Sequence, residues 1–109
     1  QIDSCRIASL NEIIPVLLMA SKHDIPVIPH AGGVGLCEYV QHLNLINKFI
    51  ITNNDLSLSE YAESCSEHFE NPAIIKNGGY VTPTEPGYSV KIKESSLKEF
   101  DFNTGSYWN

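Results

Sequence analysis

The sequence predicts an α/β fold, a run of consecutive β/α units taken from a parallel, barrel-type sheet. Two observations carry this. Short apolar, β-rich pieces alternate with amphipathic helical patterns through about residue 69, joined by short loops. An apolar run, Val27-Ile28, also ends in Pro29-His30 and a glycine-rich elbow, Gly32-Gly33-Val34-Gly35, from which a helix departs. Strand ends of this kind are where parallel α/β sheets present acid/base groups to substrates.

Taken in order, Gln1-Ile2-Asp3 reads as the last residues of a strand, as if cut from something longer. Ser9-Leu10-Asn11-Glu12 has a capping-box pattern. Proline is tolerated only near a helix's first turn, so Pro15 favours Asn11 as the cap of a helix running to about Lys22. His23-Asp24 is a loop. Ile25 to Ile28 is a short strand, with Pro26 and Pro29 marking its ends.

A second helix is expected over about Val34 to Asn47, with Leu36, Val40, Leu43 and Tyr39 toward the core. Phe49-Ile50-Ile51 reads as the next strand, Thr52-Asn53-Asn54-Asp55 as a loop, and Ser57 to Phe69 as a third helix. Beyond it the chain changes character. Asn77-Gly78-Gly79-Tyr80 and Glu85-Pro86-Gly87-Tyr88 are turn-rich, and Ser89-Val90-Lys91-Ile92 is extended. Residues 1–70 are thus read as the last β/α units, and residues 71–109 as a tail over a neighbouring surface. Closing a barrel of this type takes about 250 residues.

Composition narrows the function. Hydrophobic residues make up 42% and charged residues 18% of the 109 residues, which suits a globular chain. The formal charge of −6 argues against nucleic-acid binding. No stretch approaches the roughly 20 apolar residues that span a bilayer, so no membrane partner is expected. Cys5, Cys37 and Cys65, an odd number at wide spacing, read as reduced and mostly buried thiols of an intracellular protein, cytoplasmic or mitochondrial.

Asp3 and His30 lie 27 residues apart, about one helix, one strand and two loops. In a parallel array that spacing puts both at the C-terminal edge of adjacent strands. A carboxylate beside an imidazole fixes its tautomer and stabilises the imidazolium, which suits a general base. The same residues also suit a loop-capping aspartate and a histidine bonded to a backbone carbonyl. Glu38 and His42, four apart on a helix, can face each other, although a helix-end histidine needs no metal. His30, Cys37 and His42 lack zinc-finger spacing. The glycine elbow fits neither dinucleotide nor Walker patterns and reads as a tight turn that lets substrate reach His30. Cys37 near a helix start reads as a small core residue, and Tyr39 and Trp108 as packing residues.

The segment PHAGGVGLCEYVQHL, residues 29–43, strongly resembles that of L-fuconate dehydratases and their mitochondrial relatives, in the mandelate-racemase subgroup of the enolase superfamily. The resemblance runs the length of the chain. Gln1-Ile2-Asp3 matches the end of the sixth barrel strand, and Asn11-Glu12 the start of the following helix. Glu60-Tyr61 with His68-Phe69 matches the helix after the eighth strand. Pro86-Gly87-Tyr88-Ser89, Glu99-Phe100 and Tyr107-Trp108 match the returning tail. It implies the C-terminal part of a (β/α)7β TIM-like barrel with an extended tail directed toward a capping domain.

The resemblance also implies roles. His30 is the base that removes the proton α to a sugar-acid carboxylate and the acid that assists departure of the neighbouring hydroxyl. Asp3 is its orienting partner, and Asp55 occupies the place of a family glutamate that contacts the substrate, one methylene shorter. The family's Mg²⁺ ligands, Lys-x-Lys motif and capping domain belong to earlier segments that this sequence does not contain. Lys91-Ile92-Lys93 has the letters of that motif but sits in the tail. The chain by itself is therefore expected to hold no metal and to be inactive, as a fragment of an Mg²⁺-dependent hydro-lyase acting on a small sugar acid, a possible homo-oligomer when whole. A non-catalytic remnant or interaction module of the same descent, or another dehydratase or racemase, are the alternatives.

Overall fold

The computed structural model describes residues 1–53 and 57–108. Its order is α1 (Leu10–Lys22), α2 (Leu36–Ile46), a π-helical extension (Asn47–Thr52), a 3₁₀ turn (Ser66–His68), β1 (Ile75–Lys76), β2 (Gly79–Tyr80) and α3 (Glu94–Phe100).

Helix α1 forms where the apolar spacing places it. Ile13 and Leu17, one turn apart, are fully buried, while Pro15 faces solvent. The cap is Ser9 rather than Asn11. The Ser9 carbonyl accepts the Glu12 and Ile13 N–H groups at 3.0 and 3.2 Å, and its side chain makes no capping bond. Pro15 is therefore accommodated inside the helix, its ring on the solvent side.

Helix α2 is buried nearly all round, at Leu36, Cys37, Glu38, Val40, Gln41, Leu43 and Asn44. Leu36, Val40 and Leu43 point inward as expected, and Tyr39 is half-buried. Gly35 precedes it with φ +76°, and a Cβ there would stand 3.2 Å from the Phe69 ring, so this position favours glycine twice over. One core cluster joins the helices: Ile13, Leu17, Ala31, Cys37, Val40 and Leu43. The Glu38 carboxylate is buried but satisfied, because Oε1 accepts the Ala73 N–H at 3.1 Å.

Three expected elements take other forms. Ile25 to Ile28 forms no ladder, since two of the residues flanking or within it, Pro26 and Pro29, have no N–H to donate. Phe49-Ile50-Ile51 continues α2 as a π-helix instead of a strand. No parallel neighbour pairs with it among the described residues, and Phe49 and Ile50 are exposed. Ser57 to Phe69 is irregular except for the 3₁₀ turn and a bridge at Phe69, because side chains from other segments capture its backbone.

The tail contains a hairpin. Ile75 pairs with Tyr80 and Lys76 with Gly79, around Asn77-Gly78, which take φ +53° and +75°. That is the sequence and geometry of a two-residue type I′ turn. Further on, Phe69 bridges Ile92, with Glu70 N–H to Lys91 O at 2.9 Å and Lys93 N–H to His68 O at 2.8 Å. The short helix α3, not expected from the sequence, follows. Cys37 is buried as expected, but Cys5 and Cys65 are exposed; all three thiols are free. Among the described residues, no helix is long and apolar enough to cross a membrane.

Candidate active site

The site begins with a backbone bond. The His30 N–H donates to the Ile2 carbonyl at 2.7 Å, so the two expected strand ends lie side by side although no ladder continues from them. Asp3, the next residue, then faces the imidazole. Its Oδ2 lies 3.5 Å from His30 Nδ1. This is an ion-pair separation rather than a formed hydrogen bond, and Nδ1 is buried without another partner. Asp3 is itself held: Oδ1 accepts the Cys5 N–H at 2.8 Å, and Oδ2 accepts from Arg6 Nε at 3.1 Å.

The other edge of the ring meets a residue that the sequence reading did not place here. Glu60 Oε2 lies 3.9 Å from His30 Nε2 and accepts the Ala31 N–H at 2.5 Å. The imidazole thus stands between two carboxylates, one toward each nitrogen. His30 and Glu60 each keep 34% of their side-chain surface open to solvent, against 21% for Asp3. The imidazole is thus partly open to solvent, while its Nδ1 atom is buried. Gly32 keeps that access open: a Cβ there would come within 2.8 Å of Nε2.

The sequence reading places Glu60 within a third helix, Ser57 to Phe69, rather than at the site, and that assignment hides it. The signal that would have found it is positional. It follows His30 by about the same β/α interval at which His30 follows Asp3. Asp55, expected to contact substrate, lies outside the described residues.

The Glu38–His42 pairing that the helical spacing allows does not form, in keeping with a histidine that needs no metal. His42 Nε2 is 3.1 Å from Ser89 Oγ, and Glu38 turns instead to Ala73. Burial holds the His42 imidazole below the usual histidine range. Tyr39 packs on Tyr88 with ring centroids 5.7 Å apart, and Trp108 on Tyr107 at 4.9 Å, both as packing residues. Among the described residues, no cluster of carboxylates, imidazoles and thiols could hold a metal ion. Asp3, His30 and Glu60 meet around one imidazole, and they do not fit the Mg²⁺ that the resemblance implies.

The chain is 49% identical over 109 residues to mitochondrial enolase superfamily member 1 of Xenopus laevis, covering 99% of this chain and 24% of that protein. It is 47% identical over 102 residues to L-galactonate dehydratase of Hypocrea jecorina, covering 94% and 22%. The crystal structure of human mitochondrial enolase superfamily member 1 superposes with a TM-score of 0.88 at 45% identity, covering 96% of this chain and 24% of that one. The chain thus spans about a quarter of the length of these relatives. Residues 1–96 match the enolase C-terminal domain-like family model, and the chain belongs to that family.

Proposed function

We propose that this chain supplies the proton-transfer corner of an acid-sugar dehydratase. The observation that carries the reading is the partly exposed His30 imidazole held between the Asp3 and Glu60 carboxylates, with Nδ1 buried on the Asp3 side. The name of the Hypocrea jecorina relative, L-galactonate dehydratase, supports a sugar-acid substrate, and L-fuconate is a second candidate of the same chemistry. A mitochondrial setting fits the names of the animal relatives.

In this reading Asp3 faces Nδ1, so His30 presents Nε2 to the substrate as an acceptor. Nε2 takes the proton α to the carboxylate, and the C–H electron pair becomes the new C=C bond. The neighbouring C–O bond breaks, and the imidazolium returns its proton to the departing hydroxyl, which leaves as water. The enol product then ketonises to a 2-keto-3-deoxy acid. Asp3 stabilises the imidazolium while it exists. Glu60, fixed by the Ala31 N–H, forms the wall opposite Asp3 against which the substrate is positioned. The Mg²⁺ implied by the resemblance would have to be held by residues outside the described ones, and no step here passes through it.

The test is a panel of sugar acids, L-galactonate and L-fuconate among them, offered to a polypeptide of the relatives' length that carries this segment. Dehydration that His30→Asn abolishes, with the fold unchanged by circular dichroism, supports the reading. Undiminished turnover by that variant refutes His30 as the base. No turnover of any acid by the parent polypeptide favours a non-catalytic member of the family.

A further inference from the structure

We propose that Tyr80 and Cys37 are positioning residues that hold the Glu60 carboxylate against the Ala31 amide and the His30 imidazole. This rests on the reading of Asp3, His30 and Glu60 as the proton-transfer site.

Glu60 lies in a segment, residues 57–65, whose backbone has no helix and no ladder. Nothing periodic fixes where its side chain points, so its place is set by bonds to individual groups. Tyr80 Oη donates to the carbonyl of Glu60 itself at 2.6 Å. Two residues on, Cys37 Sγ donates to the Ala62 carbonyl at 3.1 Å and accepts the Ala62 N–H at 3.4 Å, a reciprocal pair that replaces a strand neighbour. Asn44 Nδ2 bonds Ser59 Oγ on the other side. The residue carrying the carboxylate is therefore pinned before, at and after its own position.

Cys37 does more than hold one segment. Its sulfur also lies 3.8 Å from the carbonyl of Ala31, the residue whose N–H binds Glu60 Oε2. One buried thiol at the start of α2 touches both sides of the contact and sets the gap between them. Tyr80 reaches its place from β2 because the Asn77-Gly78 turn folds the hairpin back, and Tyr61 packs edge-on against its ring at 5.9 Å. Burial, with the Cys37 thiol beside it, pushes the Tyr80 phenol well above the usual tyrosine range, so it remains a donor at any pH the protein meets.

The experiment follows the Ala31 backbone amide by ¹H–¹⁵N NMR in this protein, since a carboxylate acceptor draws that proton downfield. Glu60→Gln fixes the resonance position when the charged acceptor is lost. Tyr80→Phe and Cys37→Ala are expected to move Ala31 most of the way toward that position, while amides of α1 stay in place. Tyr61→Phe, which removes a hydroxyl outside the network, is expected to leave Ala31 where it was. If Tyr80→Phe leaves Ala31 unmoved, or Tyr61→Phe moves it as far, the proposal is overturned. Should Cys37→Ala fail to fold, Tyr80→Phe decides alone, because it deletes a single oxygen. If Glu60→Gln itself leaves Ala31 unmoved, the site reading falls, and the positioning role falls with it.

Discussion

His30 donates its backbone N–H to the carbonyl of Ile2 at 2.7 Å, and this one bond brings the aspartate and the histidine of the site together. It sets the register: the residue after Ile2 must be the one that faces the ring. A shift of one residue would bring Ser4 to the imidazole and turn Asp3 away.

Asp3→Asn therefore removes the charge opposite Nδ1 without moving the backbone bond. In a polypeptide of the relatives' length, kcat on the accepted sugar acid is expected to fall by roughly 10²–10⁴-fold, in line with an orienting carboxylate whose loss frees the wrong tautomer. Thermal unfolding is expected to change little. An unaltered kcat would mean that Asp3 only caps the Cys5 N–H, a bond already present at 2.8 Å.

Gly32→Ala tests access to the ring. The added Cβ would stand 2.8 Å from Nε2, inside any normal contact, so the imidazole must turn away. Displacing an acid/base group by about 1 Å can lower rates by roughly 10²-fold. The expected result is a fall in kcat with stability nearly retained, because Gly32 is exposed and has no positive φ that strains alanine. Full activity would show that the ring yields without consequence.

Much of this was written in the sequence, and the parts that were not share a physical reason. Both long helices follow from local apolar spacing, Ile13 with Leu17 and Leu36 with Val40 and Leu43, which needs no distant partner to declare itself. The Asp3–His30 pair follows from the length of one β/α unit. The expected strands are different, because a ladder exists only where a neighbour supplies one; Phe49-Ile50-Ile51, lacking it among the described residues, stays helical. Glu60 was hidden for a related reason. Its segment has a helical pattern of polar and apolar residues, but long-range side-chain bonds from Cys37 and Tyr80 decide its conformation. Helix α3 has only seven residues, all half-exposed or exposed, too short to announce itself.

Leu17→Ala measures how far the core holds the site in place. Leu17 is fully buried in the cluster that includes Ala31, the residue next to His30. Truncating a buried leucine costs about 2–5 kcal/mol, the upper range applying where surrounding groups cannot close the cavity. Urea denaturation is expected to show a midpoint lowered accordingly with an unchanged slope. A loss below about 1 kcal/mol would mean that α1 is not anchored through this residue.

The last prediction concerns pH. Burial lowers the His42 pKa in the folded chain below its ordinary value of 6.5, and the ring reaches Ser89 Oγ at 3.1 Å on the tail. Below pH 6.5 the unfolded chain binds a proton at this position more readily than the folded one, so protonation favours unfolding. The contribution of His42 is thus constant above pH 6.5 and declines as pH falls from there to the lower folded pKa, with no further change below it. Burial is the cause of the shift: Tyr88 stands edge-on to the ring at 6.4 Å, Ser89 meets Nε2, and the Glu38 carboxylate one turn earlier is taken by the Ala73 N–H. His42→Gln removes the titrating group. In that variant the decline of unfolding free energy below pH 6.5 is expected to be shallower than in the parent, with the two curves parallel above it. Curves parallel throughout would show that the tail contact at Ser89 does not depend on a neutral imidazole.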